Sequence, residues 1–278
     1  MEYPILEFFD DEGIIGKTEF IHSILKNAII KPDLEKLKKH KIDTTLLIFT
    51  RQLPEEILSK CEKFYVFKSV SNTNDVYIYD NKFLLAISPL GGPFSCGLME
   101  ELGFMGIKNF FACGSAGQIG YTIDPSKFVL IDRAIRDEGT SYHYLPASVY
   151  AETDKKLTLF MKKFLTKNHF EYELGTTWTT DCGYRETNKA VDRRKEQGAV
   201  AVEMECASWC AVAKYRKYKF AQLLYFSDVV KQKEWKSKDN RKELKAKVQQ
   251  LMLQCVSEFV DEKNKDKKDK IRKIKTLL

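Results

Sequence analysis

No apolar run in the chain approaches the ~20 residues of a membrane span, and none of its seven cysteines stands in a Cys-x-x-Cys pair. The cysteines are odd in number and scattered, with only Cys206 and Cys210 close together. A secreted disulfide framework needs a different spacing. No His, Cys or Asp cluster has metal-ligand spacing either, so no metal is expected. A strong basic bias is also missing, although the formal net charge is +7. Lys and Arg number 46 against 39 Asp and Glu, and eight of the former with four of the latter lie between Asp261 and Leu278. That tail carries +4 and leaves +3 for the body, which does not suggest a nucleic-acid binder. The opening Met1-Glu2-Tyr3-Pro4-Ile5-Leu6-Glu7 lacks the basic-then-apolar order of a signal peptide. A cytoplasmic protein with no membrane or nucleic-acid partner is the expectation.

Hydrophobic residues at 44% and aromatics at 12% of 278 residues are ample for a sizeable core. Short β-branched or aromatic runs predict strands at Thr45–Thr50, Phe64–Phe67, Val76–Tyr79, Phe83–Ser88, Asn109–Cys113, Phe128–Ile131, Tyr172–Thr180, Ala199–Glu203 and Phe220–Ser227. Most are continuously apolar, as in strands covered on both faces. Helical patterns fill the gaps at Phe94–Met105, Asp154–Asn168, Thr187–Gln197, Met204–Tyr215 and Asn240–Phe259. The alternation predicts an α/β fold on a parallel or mixed sheet. With no internal repeat or long low-complexity linker, one main domain over 45–260 is expected. An N-terminal arm (1–44) and a Lys-rich tail (261–278) flank it.

Ligands in α/β sheets bind outside the carboxyl ends of strands, and polar groups recur there. Leu90-Gly91-Gly92-Pro93 follows one predicted strand, with Pro93 placed to open a helix. Gly114-Ser115-Ala116-Gly117 follows another, and small residues let backbone N–H groups approach an anion, though a plain turn reads the same way. Asp181 to Glu186 follow the strand ending at Thr180. Glu203 and Glu205 open a helix between apolar segments, so at least one is expected to be buried and in need of partners. Ser227-Asp228 ends a further strand, as a cap or as part of a site. The loop 229–239, with Trp235 among lysines, follows directly.

The ordered set Leu90-Gly91-Gly92-Pro93, Gly114-Ser115-Ala116-Gly117, Val202-Glu203-Met204-Glu205 and Ser227-Asp228 resembles the nucleoside phosphorylase family of the trimeric and hexameric type. That family includes purine nucleoside phosphorylases, uridine phosphorylases and methylthioadenosine nucleosidases. The resemblance runs from Thr45 to Val260, and the Tyr3-Pro4-Ile5-Leu6-Glu7-Phe8 start is similar to that of a bacterial branch. It implies a three-layer α/β/α sandwich on a mixed, partly barrel-like sheet. It also implies cleavage of an N-glycosidic bond by phosphate, giving free base and (deoxy)ribose 1-phosphate. By the same resemblance Glu205 grips the ribose hydroxyls, Met204 packs on the sugar and Asp228 hydrogen-bonds the leaving base. Gly114 and Ser115 match the phosphate loop and Tyr184 the base pocket, while Arg51 is a candidate phosphate ligand outside the family pattern and Arg136, in a segment similar to the uridine branch, a candidate for the base. Inorganic phosphate is the co-substrate, no organic cofactor is needed, and a homo-oligomer is expected.

The phosphate half departs from the family pattern. Ala112 stands three residues before Ser115, where an arginine is usual, and 49–56 replaces the usual Gly-Asp-Pro-x-x-Arg loop. A phosphate dianion in a closed site needs compensating charge. Arg51, Arg136, Arg185 or a residue of another subunit are candidates. A nucleosidase that uses water and a non-catalytic nucleoside-binding homologue therefore stay open. The base is open too. Asp228 points to a purine, whereas Arg136 to Tyr144 resembles a segment of the uridine branch.

Overall fold

The computed structural model describes residues 18–68, 73–120, 123–231, 234–237 and 241–277. Strands β1 (Thr44–Ile48), β2 (Cys61–Lys68), β3 (Thr73–Tyr79), β4 (Phe83–Ile87), β5 (Asn109–Ile119) and β6 (Phe128–Asp137) occupy the first half. The short β7 (Tyr150–Glu152), then β8 (Tyr172–Thr180), β9 (Ala199–Glu203), β10 (Lys219–Lys231) and β11 (Glu234–Ser237) follow. Helices are α1 (Thr18–Lys26), α2 (Leu34–His40), α3 (Glu55–Leu58), α4 (Gly92–Phe104), α5 (Lys155–Lys167), α6 (Asn188–Glu196), α7 (Cys206–Arg216) and α8 (Arg241–Leu277). Local chemistry sets their starts. Pro93 sits in the first turn of α4, and the Asp154 carboxylate accepts from the N–H groups of Lys156 and Leu157 to cap α5. Among the described residues no helix is long and apolar enough to cross a membrane.

All strands join one mixed sheet in the order β11-β10-β6-β8-β9-β5-β1-β4-β3-β2, with β7 added to β6. Because β10 also pairs with β5, the strands β5, β10, β6, β8 and β9 close into a ring. The open wing β1-β4-β3-β2 extends from it. One face is covered by α4 and α7, whose Leu98, Met99, Trp209 and Val212 pack on Phe110, Ala112 and Phe220. The other is covered by α5 and α8, whose Met161, Leu251 and Met252 pack on Ile48, Phe111 and Leu223. The result is a three-layer α/β/α sandwich with a partly barrel-like sheet.

The structure fixes the form of three segments. Gly114–Gly117 is no turn; β5 runs straight through it to Ile119, paired with β10 throughout and with β9 at Gly117 and Gln118. The loop expected over 229–239 is instead the end of β10 and the antiparallel β11, apart from 232–233 and 238–240, which lie outside the described residues. The Lys-rich tail continues α8 without a break from Val260 to Leu277. Within the N-terminal arm, α1 and α2 form, and Leu25, Leu37 and Ile42 are buried in the α4–α7 layer. The Tyr3 to Phe8 segment lies outside the described residues.

Candidate active site

Parallel pairing brings several strand ends to one rim. Ile48 of β1 stands between Ile87 of β4 and Cys113 of β5, so 49–54, 88–91 and the second half of β5 share an edge. Phe49 turns its ring onto Gly114; a Cβ there would meet the ring at 3.0 Å. Only glycine leaves room for that contact. Ser115 is exposed on the strand opposite Tyr225, and Gly117 is flanked by Val202 of β9 and Asp228 of β10. The register of β10 slips between Phe226 and Asp228, which leaves Ser227 as a bulge. A bulge turns the local strand and re-aims the next side chain, here Asp228, whose carboxylate accepts from the Ser227 hydroxyl at 2.6 Å.

Two buried carboxylates stand beside this rim. Glu203, at the end of β9, accepts from the N–H groups of Glu205 (2.8 Å) and Cys206 (2.7 Å) and from the Thr179 hydroxyl (2.5 Å). It thereby caps α7. Glu205 is only 4% exposed, and its Oε1 accepts from the Gly91 N–H at 2.6 Å. Gly91 has φ +84, which favours glycine, and its conformation presents that N–H. Met204 lies half-buried between the two acids. Burial pushes both carboxyls up. The donors around Glu203 offset part of that rise, and its charge adds to the rise of Glu205. The pair therefore binds a proton more readily than free carboxylates do.

Across the rim, the turn after β8 delivers Glu186, a residue to which the motifs assigned no role. It is half-buried, and burial followed by the Asp228 charge pushes its carboxyl up to about 7. Asp181, on the same turn, holds the Gly139 N–H at 2.8 Å. Tyr184, between them, is fully exposed in the single chain. The burial of Glu203 and Glu205 was legible from their apolar flanks. The Glu186 and Asp228 pairing was not, since it joins residues on different strands.

The cations are distributed unevenly. Arg136 is buried, with its guanidinium donating to Ser141 Oγ, the Pro146 and Leu145 carbonyls and Ser148 Oγ, and stacked over Tyr142 at 4.2 Å. Those bonds shape the 138–148 segment, and none of them is offered to a base. Arg51 is exposed on the loop after β1, at the rim shared with Ser115. Ala112 is fully buried in the α4–α7 core, so β5 itself brings no charge to that rim.

Comparison with known proteins agrees with this geometry. The family model described as phosphorylase superfamily matches residues 77–261, well over half of the chain. A guanosine phosphorylase of Halorubrum lacusprofundi is 28% identical over 137 residues, 49% of this chain and 57% of that protein. A uridine phosphorylase of Thermococcus kodakarensis is 32% identical over 95 residues, 34% of each chain. Another, of Haemophilus influenzae, is 25% identical over 108 residues, 39% of this chain and 43% of that one. The matched stretches thus span 34–57% of these relatives' lengths.

Proposed function

The chain belongs to the phosphorylase superfamily, and from that premise we propose that it is a pentosyltransferase, a nucleoside phosphorylase that favours purine nucleosides. The observation that carries the reading is the gathering of acids on one rim: Glu205, buried and held by the Gly91 N–H, and Asp228, re-aimed by the Ser227 bulge, with Glu186 facing its charge.

In the proposed reaction a phosphate oxygen attacks C1′ while the C1′–N bond breaks and its electron pair leaves with the base. The developing oxocarbenium ion needs negative or polar groups around the sugar, and the leaving base needs a proton. Ribose hydroxyls donating to Glu205 give its buried carboxylate partners beyond the Gly91 N–H. Such charge-assisted bonds strengthen as the sugar becomes cationic. Glu186, pushed up to about 7 by burial and the Asp228 charge, supplies the proton that passes to N7 of a purine at Asp228. A pyrimidine has no N7 to receive it, which favours the purine class. Met204 packs on the sugar, and Gly114, Ser115 and Arg51 face the phosphate. Tyr184, wholly exposed in one chain, fits a base pocket completed by a second copy in a homo-oligomer.

The test is base release from guanosine, inosine and uridine, with and without phosphate, resolved by chromatography. Free base with sugar 1-phosphate, formed only in the presence of phosphate and fastest from purine nucleosides, is the expected result. Base plus free sugar without phosphate would make the protein a nucleosidase. No cleavage of any nucleoside would refute the enzymatic reading.

A further inference from the structure

The candidate site is rich in carboxylates and poor in cations. Glu203, Glu205, Glu186 and Asp228 ring it, while Ala112 brings no charge and Arg136 is occupied elsewhere. A phosphate dianion entering here needs an ammonium or guanidinium close by, because a desolvated anion without a counter-charge is strongly disfavoured. Arg51 offers one from an exposed loop; a half-buried cation near Ser115 comes from the far end of the sequence.

Helix α8 runs antiparallel to β1. Its start follows β11, whose Ser237 pairs with Asp228, and further along Lys263 bonds Asp43, just ahead of β1. The inner stripe of α8 includes Val248 and Met252, both buried against the sheet. Lys245 lies three residues before Val248, on the same stripe and one turn nearer the rim. It is half-buried, and among the described residues it has no hydrogen bond or ion pair. Its charge reaches the thiol of Cys113, and burial disfavours its ammonium. Cys113 and Ser115 are two apart on β5 and so share a face, the one that α8 covers. A helical side chain leans toward the N-terminus of its helix, which for Lys245 is toward Ser115. Lys247 anchors the helix by its ammonium 5.9 Å from the Phe128 ring, on the strand neighbouring β10.

We propose that Lys245 is a phosphate-binding cation of this protein in addition to Arg51, reaching from the inner stripe of α8 to the anion held at Ser115. The inference rests on phosphorolysis as proposed above. A half-buried ammonium without a partner is a poor arrangement for stability alone, and a bound dianion supplies the missing counter-charge.

The experiment compares wild type, Lys245→Met, Lys245→Gln and Lys245→Arg by initial rates at saturating nucleoside and varied phosphate. Melting temperature with and without inorganic phosphate is measured in parallel. Loss of a charge-assisted contact made only to phosphate raises its KM by about 10- to 100-fold in K245M and K245Q. The nucleoside KM stays within about twofold and K245R recovers most of the loss, as expected for a uniform-binding contact. The phosphate-induced rise in melting temperature seen in wild type is lost in K245M and K245Q. A phosphate KM unchanged in either folded neutral variant would overturn the proposal while leaving phosphorolysis intact. Wild-type cleavage that ignores phosphate would sink phosphorolysis itself. If no nucleoside is cleaved, the melting shift still decides, and equal shifts in wild type and K245Q would count against Lys245.

Discussion

Thr179 offers the sharpest test of how the paired acids are held. Its side chain is fully buried at the end of β8; the hydroxyl donates to Glu203 at 2.5 Å and accepts from the Ala207 N–H at 2.9 Å. Thr179→Val keeps the shape and removes both bonds. The Ala207 N–H, in the first turn of α7, is then buried without a partner at a cost of about 1–3 kcal/mol, and the lost bond to a charged acceptor adds about 1.5–3 kcal/mol. No cavity forms, so the sum is about 2.5–6 kcal/mol, a large part of the ~5–15 kcal/mol that holds a domain folded. Thr179→Ser keeps both bonds and loses one buried methyl, about 1 kcal/mol. The order is diagnostic, because burial of apolar surface alone ranks valine as the better residue. Chemical denaturation at neutral pH, read by midpoint and slope, measures both variants. A valine variant as stable as the serine variant would refute the account of Glu203 as the hydrogen-bonded cap of α7.

Glu186→Gln is expected to flatten the pH profile of kcat/KM, whose alkaline decline in wild type should pass through about 7, the value to which burial and Asp228 raise this carboxyl. The same shift has a stability sign. The folded state holds the proton more tightly than the unfolded chain, so stability falls as pH rises from the unfolded value of about 4.5 through about 7, and melting curves of E186Q should lack that decline. Glu205→Gln should leave the melting temperature near wild type and lower kcat/KM for nucleosides by about 100-fold, as for a charged acceptor lost from a sugar contact, measured by steady-state kinetics. Gly92→Ala places a methyl 2.5 Å from Ser208 Oγ and 2.9 Å from Thr140 Oγ1, where Ser208 is already held by Glu138. Denaturation should show a loss of about 1–3 kcal/mol from overpacking, partly relieved by a second substitution, Ser208→Ala.

Local pattern carried much of the fold. Tyr172–Thr180 and Ala199–Glu203 are read from β-branched and apolar runs with the ends the structure shows. Where the reading stopped short, partners distant in sequence decided the outcome. Gly114-Ser115-Ala116-Gly117 has a turn's composition, yet β10 supplies a neighbour to each of its residues and keeps the strand extended. The Lys and Asp alternation after Val260 fits a solvated helix end or a disordered tail equally, and α8 carries on through it, lysine being a good helix former. The site shows the same division. The burial of Glu205 was legible from its apolar flanks, whereas the bonds by which Arg136 ties down its own segment, to Ser141, Leu145, Pro146 and Ser148, were not. The raised carboxyl of Glu186 depends on Asp228, forty-two positions later, and no local pattern reports such an encounter.

Helix α8 also has a consequence for how the chain is made. The core on its side of the sheet joins Leu46 and Ile48 of β1, Phe83 and Leu85 of β4 and Phe111 of β5 to Val248, Leu251, Met252 and Val256. Until the ribosome has released α8, that wall of the sheet has no cover over β1, β4 and β5, and the nascent protein presents a sticky apolar surface. Lys263 to Asp43 and Lys82 to Asp261 then close contacts that span most of the translated length. Such long-range closure slows folding and prolongs the interval in which aggregation competes. Chaperones that hold exposed apolar segments should therefore engage this protein late in synthesis, and a chain interrupted at residue 240 should be recovered as insoluble material.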